Sequence, residues 1–106
     1  MPNYYFAIAS QNFLMNEEPV EEILRERTNY YKRINKEIDF WFVLSPTFIQ
    51  SPNLVSIRQQ LTGPCAAIVS LDEKFIHWLK LRIGFILIGQ FESPSLDVAQ
   101  PLASIS

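Results

Sequence analysis

The chain has 106 residues, with 9 Lys+Arg against 11 Asp+Glu, one His, one Cys, and 48% hydrophobic and 13% aromatic content. That length predicts one domain, able to bury roughly two thirds of its surface without staples. A single Cys excludes an intrachain disulfide or a multi-Cys zinc site and suits a reducing compartment, while a net charge of −2 gives no global attraction for nucleic acid or anionic lipid.

No apolar run approaches the roughly 20 residues that span a bilayer; uninterrupted candidates such as Phe40 to Leu44 and Phe85 to Ile88 are strand-sized. Met1-Pro2-Asn3 leads directly into a strand pattern with no basic-apolar leader and no Arg/Ser-rich transit segment, so export is not expected. Asn3 to Ser10 is apolar on both alternating faces, as an inner strand requires. From Glu17 the period changes. Pro19 suits a first helical turn, and Val20, Ile23, Leu24, Tyr31 and Ile34 recur at three- and four-residue spacing. Glu17, Glu18, Glu21 and Glu22 at one end, with Lys32, Arg33 and Lys36 at the other, complement the helix dipole and read as a solvated face.

Ile38 to Ser45 predicts a second strand, with Ile38, Phe40, Phe42 and Leu44 on one face and Asp39, Trp41, Val43 and Ser45 on the other. Ser51-Pro52 offers an N-cap and first-turn pair for a short helix through Leu54, Ile57, Arg58 and Leu61, which Gly63-Pro64 stops. Cys65 to Ser70 is the third strand. Asp72 caps a third helix carrying Phe75, Ile76, Trp78, Leu79, Leu81 and Ile83, with Gly84 at its end. Phe85 to Glu92 is the fourth strand. From Ser93 onward small residues, Pro94 and Pro101 predict a tail, so the domain covers 1–92 and the tail 93–106. The order β-α-β-α-β-α-β predicts a small α/β sheet covered by helices, by default with parallel right-handed crossovers, although short connections also serve antiparallel neighbours.

Few residues offer chemistry. His77 lies four residues, one helical turn, after Glu73, with Asp72 next to Glu73, but one His supplies a single metal ligand, and acids are common at helix starts. Cys65 stands among Ala66, Ala67, Ile68 and Val69 and reads as a small core residue rather than a nucleophile. Glycines at 63, 84 and 89 build no phosphate loop. Two charges are out of place. Arg82 falls between Trp78 and Phe75 on a helical wheel, inside the apolar arc of the third helix, where it snorkels, pairs with a carboxylate, or serves an interface. Asp39 stands at the mouth of an apolar strand, where it stays solvated or pairs with Arg82. The residues point to an interaction protein, not an enzyme.

Tyr4-Tyr5-Phe6-Ala7-Ile8-Ala9-Ser10-Gln11, Glu17-Glu18-Pro19, Lys36-Glu37-Ile38-Asp39-Phe40-Trp41, Ala66-Ala67-Ile68-Val69-Ser70, Phe75-Ile76-His77-Trp78-Leu79-Lys80-Leu81-Arg82, Gly89-Gln90-Phe91-Glu92-Ser93-Pro94-Ser95 and Pro101-Leu102-Ala103-Ser104 together resemble the family named for hypothetical chloroplast reading frame fifty-four, across essentially the whole chain. The resemblance implies a small, largely antiparallel sheet between helices. It also implies a non-catalytic accessory subunit of the aerobic magnesium-protoporphyrin IX monomethyl ester oxidative cyclase, which forms the fifth ring of chlorophyll. The implied partner is a separate di-iron catalytic subunit, contacted through Asp39, Phe40 and Arg82. No cofactor of its own is implied. The implied location is cyanobacterial cytoplasm or plastid stroma, peripheral to the thylakoid through the partner. The sequence departs from the family pattern at Gly84, where a charge is common, and at Gln90, where an acid is common. The rival readings are a tetrapyrrole-binding carrier and a small homodimeric module.

Overall fold

Phe6, Ala7, Ile8 and Ala9 are consecutive and all buried within β1, Asn3–Ser10. A strand apolar on both faces needs cover above, cover below and a neighbour on each edge. The computed structural model, which describes residues 2–104, supplies all of these. With β2 (Phe40–Leu44), β3 (Cys65–Ser70) and β4 (Leu87–Glu92), β1 forms a four-stranded sheet ordered β2-β3-β1-β4. Every pairing is antiparallel: Phe6 lies opposite Val69 on one side and Gly89 on the other, and Phe42 lies opposite Ile68.

Parallel neighbours, the default reading of the alternating order, are therefore absent among the described residues. The crossovers exist nonetheless. β1 and β2 run the same way with β3 between them, and β3 and β4 run the same way with β1 between them. The linking helices are α1 (Val20–Arg33) and α3 (Glu73–Ile83). Each β-α-β unit is thus split by a strand of the other, the arrangement of ferredoxin-like folds. A crossover rule that fixes direction along the chain does not say which strands become neighbours.

Both crossover helices cover one sheet face. Ala7, Ala9 and Ala66 keep that face shallow, and Val20 and Tyr31 of α1 with Phe75, Ile76, Leu79 and Ile83 of α3 fill the space above it. The opposite face presents Phe6, Ile8, Val43, Ala67 and Val69, covered by Phe48, Ile49 and Leu54 from the β2–β3 connection. Phe48 packs against Phe6 and Phe91 with ring centroids 4.7 and 4.5 Å apart. Residues 93–104 lie along this second layer: Val98 is buried in it, Ser93 Oγ donates to the Val98 carbonyl at 2.8 Å, and Thr47 N–H donates to the Ala103 carbonyl at 2.9 Å. Of the segments read as domain and tail, Met1, Ile105 and Ser106 lie outside the described residues.

Several boundaries differ from the sequence pattern. A wide helical turn at Phe13–Glu17 precedes α1, and Pro19 occupies the N-cap position rather than the first turn. β2 starts at Phe40 and β4 at Leu87, because Ile38 and Phe85 are exposed and have no face to fill. The helix expected from Ser51 to Leu61 is broken into 3-10 turns at Thr47–Gln50 and Pro52–Leu54 and one α turn, α2 (Val55–Arg58). Ser51 makes no side-chain cap there. Asp72 does cap α3, its side chain accepting from Lys74 N–H, and Gly84 ends α3 at φ 88°.

Gly89 faces Phe6 across the β1–β4 ladder, and a Cβ built on it would stand 2.6 Å from the Phe6 ring. Phe6 is fully buried and cannot swing away. Gly89→Ala is expected to cost about 1–3 kcal/mol by overpacking, whereas Gly63→Ala, at φ 70° but in open space, costs about 1 kcal/mol of backbone strain. Urea unfolding of the two variants checks the order.

Candidate functional site

α1 carries Val20, Leu24, Arg27 and Tyr31 at helical spacing along its inward stripe, so one guanidinium is aimed into the seam between α1, α3 and β2. Arg27 Nη2 donates to Tyr31 Oη at 2.8 Å and to Asp72 Oδ2 at 3.0 Å. Its guanidinium carbon lies 3.8 Å from the centroid of the Phe75 ring and 5.0 Å from that of Tyr31. Tyr31 Oη in turn donates to Asp39 Oδ1 at 2.8 Å, and Lys36 Nζ meets Asp39 Oδ2 at 3.4 Å. The chain Asp72–Arg27–Tyr31–Asp39–Lys36 joins the cap of α3, the inner face of α1 and the entry to β2. Burial, followed by the hydrogen bond to Asp39, raises the Tyr31 pKa, so the phenol stays a donor.

Asp39 is thus held by Tyr31 and Lys36 and does not pair with Arg82. Phe40 is 5% exposed, its ring edge-on to Tyr31 at 5.4 Å and 5.8 Å from Phe75, so it is a core residue and not a surface contact. Arg82 is exposed. The buried arc of α3 is narrower than its apolar arc: Phe75, Ile76, Leu79 and Ile83 face inward, while Trp78, 47% exposed, and Leu81, 87% exposed, face outward beside Arg82. At 1.5 Å per residue, Arg82 lies about 15 Å along α3 from the Asp72 cap. The structure therefore groups Asp39 with Phe40 and sets Arg82 apart at the far end of the helix.

A γ-type turn at Gly84 closed by Phe85 N–H on the Ile83 carbonyl at 3.1 Å, with Lys80 Nζ donating to the Gly84 and Ile86 carbonyls at 2.8 and 2.7 Å, pins Phe85 beyond the helix end. Phe85 is 86% exposed. Trp78, Leu81, Arg82 and Phe85 form one outward stripe of three apolar anchors around a cation. Single exposed apolar residues are ordinary; Trp78 and Leu81 on the last turns of α3 and Phe85 just past its end leave three large apolar side chains open close together in the chain. Between the helices runs a groove of about 610 Å³ whose walls include Arg27, Tyr30, Arg33, Lys74, Phe75 and Trp78.

The remaining candidates are used up or remote. Asp72 is committed to its cap and to Arg27, and Glu73 meets His77 at 3.9 Å on the exposed side of α3. No group of three His, Cys, Asp or Glu residues gathers as a metal site among the described residues. Burial raises the Cys65 thiol pKa, opposite to what a nucleophile needs. Arg27 is the residue that sequence reading passed over, although it interrupts the apolar stripe of α1 as Arg82 interrupts that of α3.

The fold and surface define a small split β-α-β domain with exposed apolar side chains along the outer side of one crossover helix. Comparison with known proteins narrows this class: the profile of the family described as Ycf54 protein matches residues 2–93, and the chain belongs to that family. It is 53% identical over 92 residues to an uncharacterized ycf54 protein of Porphyra purpurea, covering 87% of this chain and 85% of that one. To a Ycf54-like protein of Synechocystis it is 48% identical over 105 residues, covering 99% and 79%. The solved Ycf54 structure from Synechocystis sp. PCC6803 superposes with a TM-score of 0.96 at 46% identity, covering 100% of this chain and 99% of that one. An Arabidopsis thaliana relative, 37% identical over 97 residues covering 91% of this chain and 45% of that protein, is named chloroplastic, so relatives occur in cyanobacteria and in chloroplasts. No helix among the described residues is long and apolar enough to cross a membrane.

The Tyr31 network makes a pH prediction. Folding raises the pKa of Tyr31, and also that of Lys36, chiefly through its hydrogen bond to Tyr31. Unfolded tyrosine ionises near pH 10, so this stabilisation is present below about pH 10 and is lost as pH rises through the folded values. The Tm is expected to fall between about pH 10 and 12. Tyr31→Phe should lower Tm at pH 7 and flatten the alkaline slope, read by circular dichroism melts across that range.

Proposed function

We propose that the chain is a non-catalytic accessory subunit of the aerobic magnesium-protoporphyrin IX monomethyl ester oxidative cyclase. It supports a separate di-iron catalytic subunit that closes the fifth ring of chlorophyll, and it is held at the thylakoid surface through that subunit. The observation that carries this reading is Ycf54 family membership across residues 2–93, joined to the role that the resemblance implies. Geometry supports the outward stripe of α3 as the contact, with Arg82 as a polar anchor among Trp78, Leu81 and Phe85. In this reading Asp39 and Phe40 act from beneath, by holding Tyr31, Phe75 and the α3 cap in place.

The groove between α1 and α3 favours a second reading, a tetrapyrrole carrier. Its aromatic walls and the cations Arg33 and Lys74 suit a planar ring with a carboxylate edge. Titration with magnesium-protoporphyrin monomethyl ester, followed by absorbance, separates the two: saturable one-to-one binding favours the carrier.

For the accessory subunit, cyclase turnover in a reconstituted system is expected to rise on adding this protein at fixed catalytic-subunit abundance. Unchanged turnover together with unchanged abundance of the catalytic subunit in cells lacking the protein would sink the reading. In affinity capture from photosynthetic membranes, Arg82→Glu should reduce recovery of the catalytic subunit about tenfold or more at unchanged Tm. Asp39→Asn should reduce recovery only in step with a lowered Tm, and full recovery by Arg82→Glu would remove the stripe from the interface.

A further inference from the structure

A second surface lies at the free edge of the sheet. The Asp39 carbonyl accepts from Leu71 N–H and Ser45 N–H donates to the Cys65 carbonyl, both at 2.9 Å, so odd-numbered residues of this stretch turn their backbone groups toward β3. With unbroken register from Phe40 to Leu44, Phe40, Phe42 and Leu44 turn theirs outward. Among the described residues none of these outward groups has a hydrogen-bond partner, and β3 is the only strand paired with β2. Edge strands are usually protected by charge, proline or a bulge. β4, the opposite edge, carries the charge of Glu92, whereas Phe40-Trp41-Phe42-Val43-Leu44 carries neither charge nor proline; just past it Pro46 bridges to Ser104 of the tail. Beside Phe42, on the α1 side, opens a pocket of about 310 Å³ lined by Leu14, Met15, Val20, Glu21, Leu24 and Phe42. It has room for a leucine or phenylalanine side chain.

We propose that β2 accepts an extended segment of a partner chain as a fifth strand, whose main chain pairs with Phe40, Phe42 and Leu44, whose apolar side chain enters the pocket beside Phe42, and whose flanking basic residue faces Glu21. Free backbone groups along an edge select extended main chain, and a pocket on alternate positions selects the side chain. The charge follows from the rim. Glu17, Glu18, Glu21 and Glu22 crowd the start of α1, and among the described residues Glu21 alone of these four meets a cation, Arg25 on the exposed helix surface at 3.1 Å. The same rim argues against a second copy as occupant. Antiparallel pairing of two β2 edges about Phe42 would set one acidic run against another, so a foreign basic segment is favoured. This site is independent of the cyclase reading and of the α3 stripe.

The test uses the full chain and the capped peptide KVLVKV, with binding followed by ¹⁵N NMR. Peptide is expected to shift the amides of Phe40, Phe42 and Leu44 and to slow their hydrogen exchange. Of two peptides N-methylated at alternating amides, one should bind normally and the other at least tenfold more weakly. EVLVEV should also bind at least tenfold more weakly, and Glu21→Lys, at an exposed position, should reverse that preference without loss of fold. No shift at these amides in millimolar peptide, equal binding of both N-methylated peptides, or shifts confined to Trp78, Leu81 and Phe85 would overturn the proposal. Exchange protection of β2 that rises with protein concentration alone would overturn it in favour of a second copy. Protection in dilute protein that vanishes on deleting Ile105 and Ser106 would overturn it in favour of the chain's own tail.

Discussion

Two helices lie on an alanine-lined sheet face, and the guanidinium of Arg27 fixes their relative placement. A half-buried cation, its side chain 21% exposed, is still costly unless its donors and its charge are met. Asp72 and Tyr31 take hydrogen bonds from it, and the Phe75 ring takes its flat face, while Nε is buried without a partner. The three aromatic rings around it, Tyr31, Phe40 and Phe75, come from α1, β2 and α3. Removing Arg27 would strip the α3 cap residue and Tyr31 of a donor at once, and loosening Tyr31 would release Asp39. The helical layer is therefore set by one connected group of charges and rings rather than by apolar contact alone.

Much of the fold was legible because strands apolar on both faces and one clearly amphipathic helix leave strong periodic signals. Asn3–Ser10 and Cys65–Ser70 were readable to the residue. The Asp72 cap and the Gly84 stop follow from local chemistry and hold in the structure. Strand neighbours were not legible, since periodicity says which face a side chain takes and nothing about which strand lies beside it; the antiparallel order came from resemblance. The breaks in residues 47–58 were hidden for a related reason. Leu54, Ile57 and Leu61 fit a helical period, but a covering segment that must follow a flat sheet cannot keep one axis.

The two anomalous charges illustrate a sharper limit. Asp39 and Arg82 were both recognisable as acid and base in apolar company, and a mutual ion pair is the simplest way to reconcile them. Distance along α3 forbids it, and each finds a different solution: Asp39 joins an internal network, and Arg82 goes to water. Arg27 shows the converse. Its company on α1 is also apolar, but the surrounding Glu and Arg residues make it look like one more surface charge. Where a cation turns inward is decided by where a carboxylate and an aromatic face converge from other elements, and that information is spread over residues 27, 31, 39, 72 and 75.

Across the molecule the apolar surface left open is divided. α3 packs on β1, β3 and β4, and α1 borders the pocket beside Phe42, so α1 lies between the α3 stripe and the free edge of β2. The stripe offers side chains only, with large anchors around one cation, and suits a folded partner surface. The edge offers main-chain groups and a single pocket, and suits an extended segment. Surfaces of such different kinds do not compete for one binding motif, and their separation by α1 allows both to be filled together. If both proposed surfaces are filled, the protein holds a folded partner on one side of α1 and an extended segment on the other. The Arg27 network, which fixes α1 against α3, then sets the angle between them.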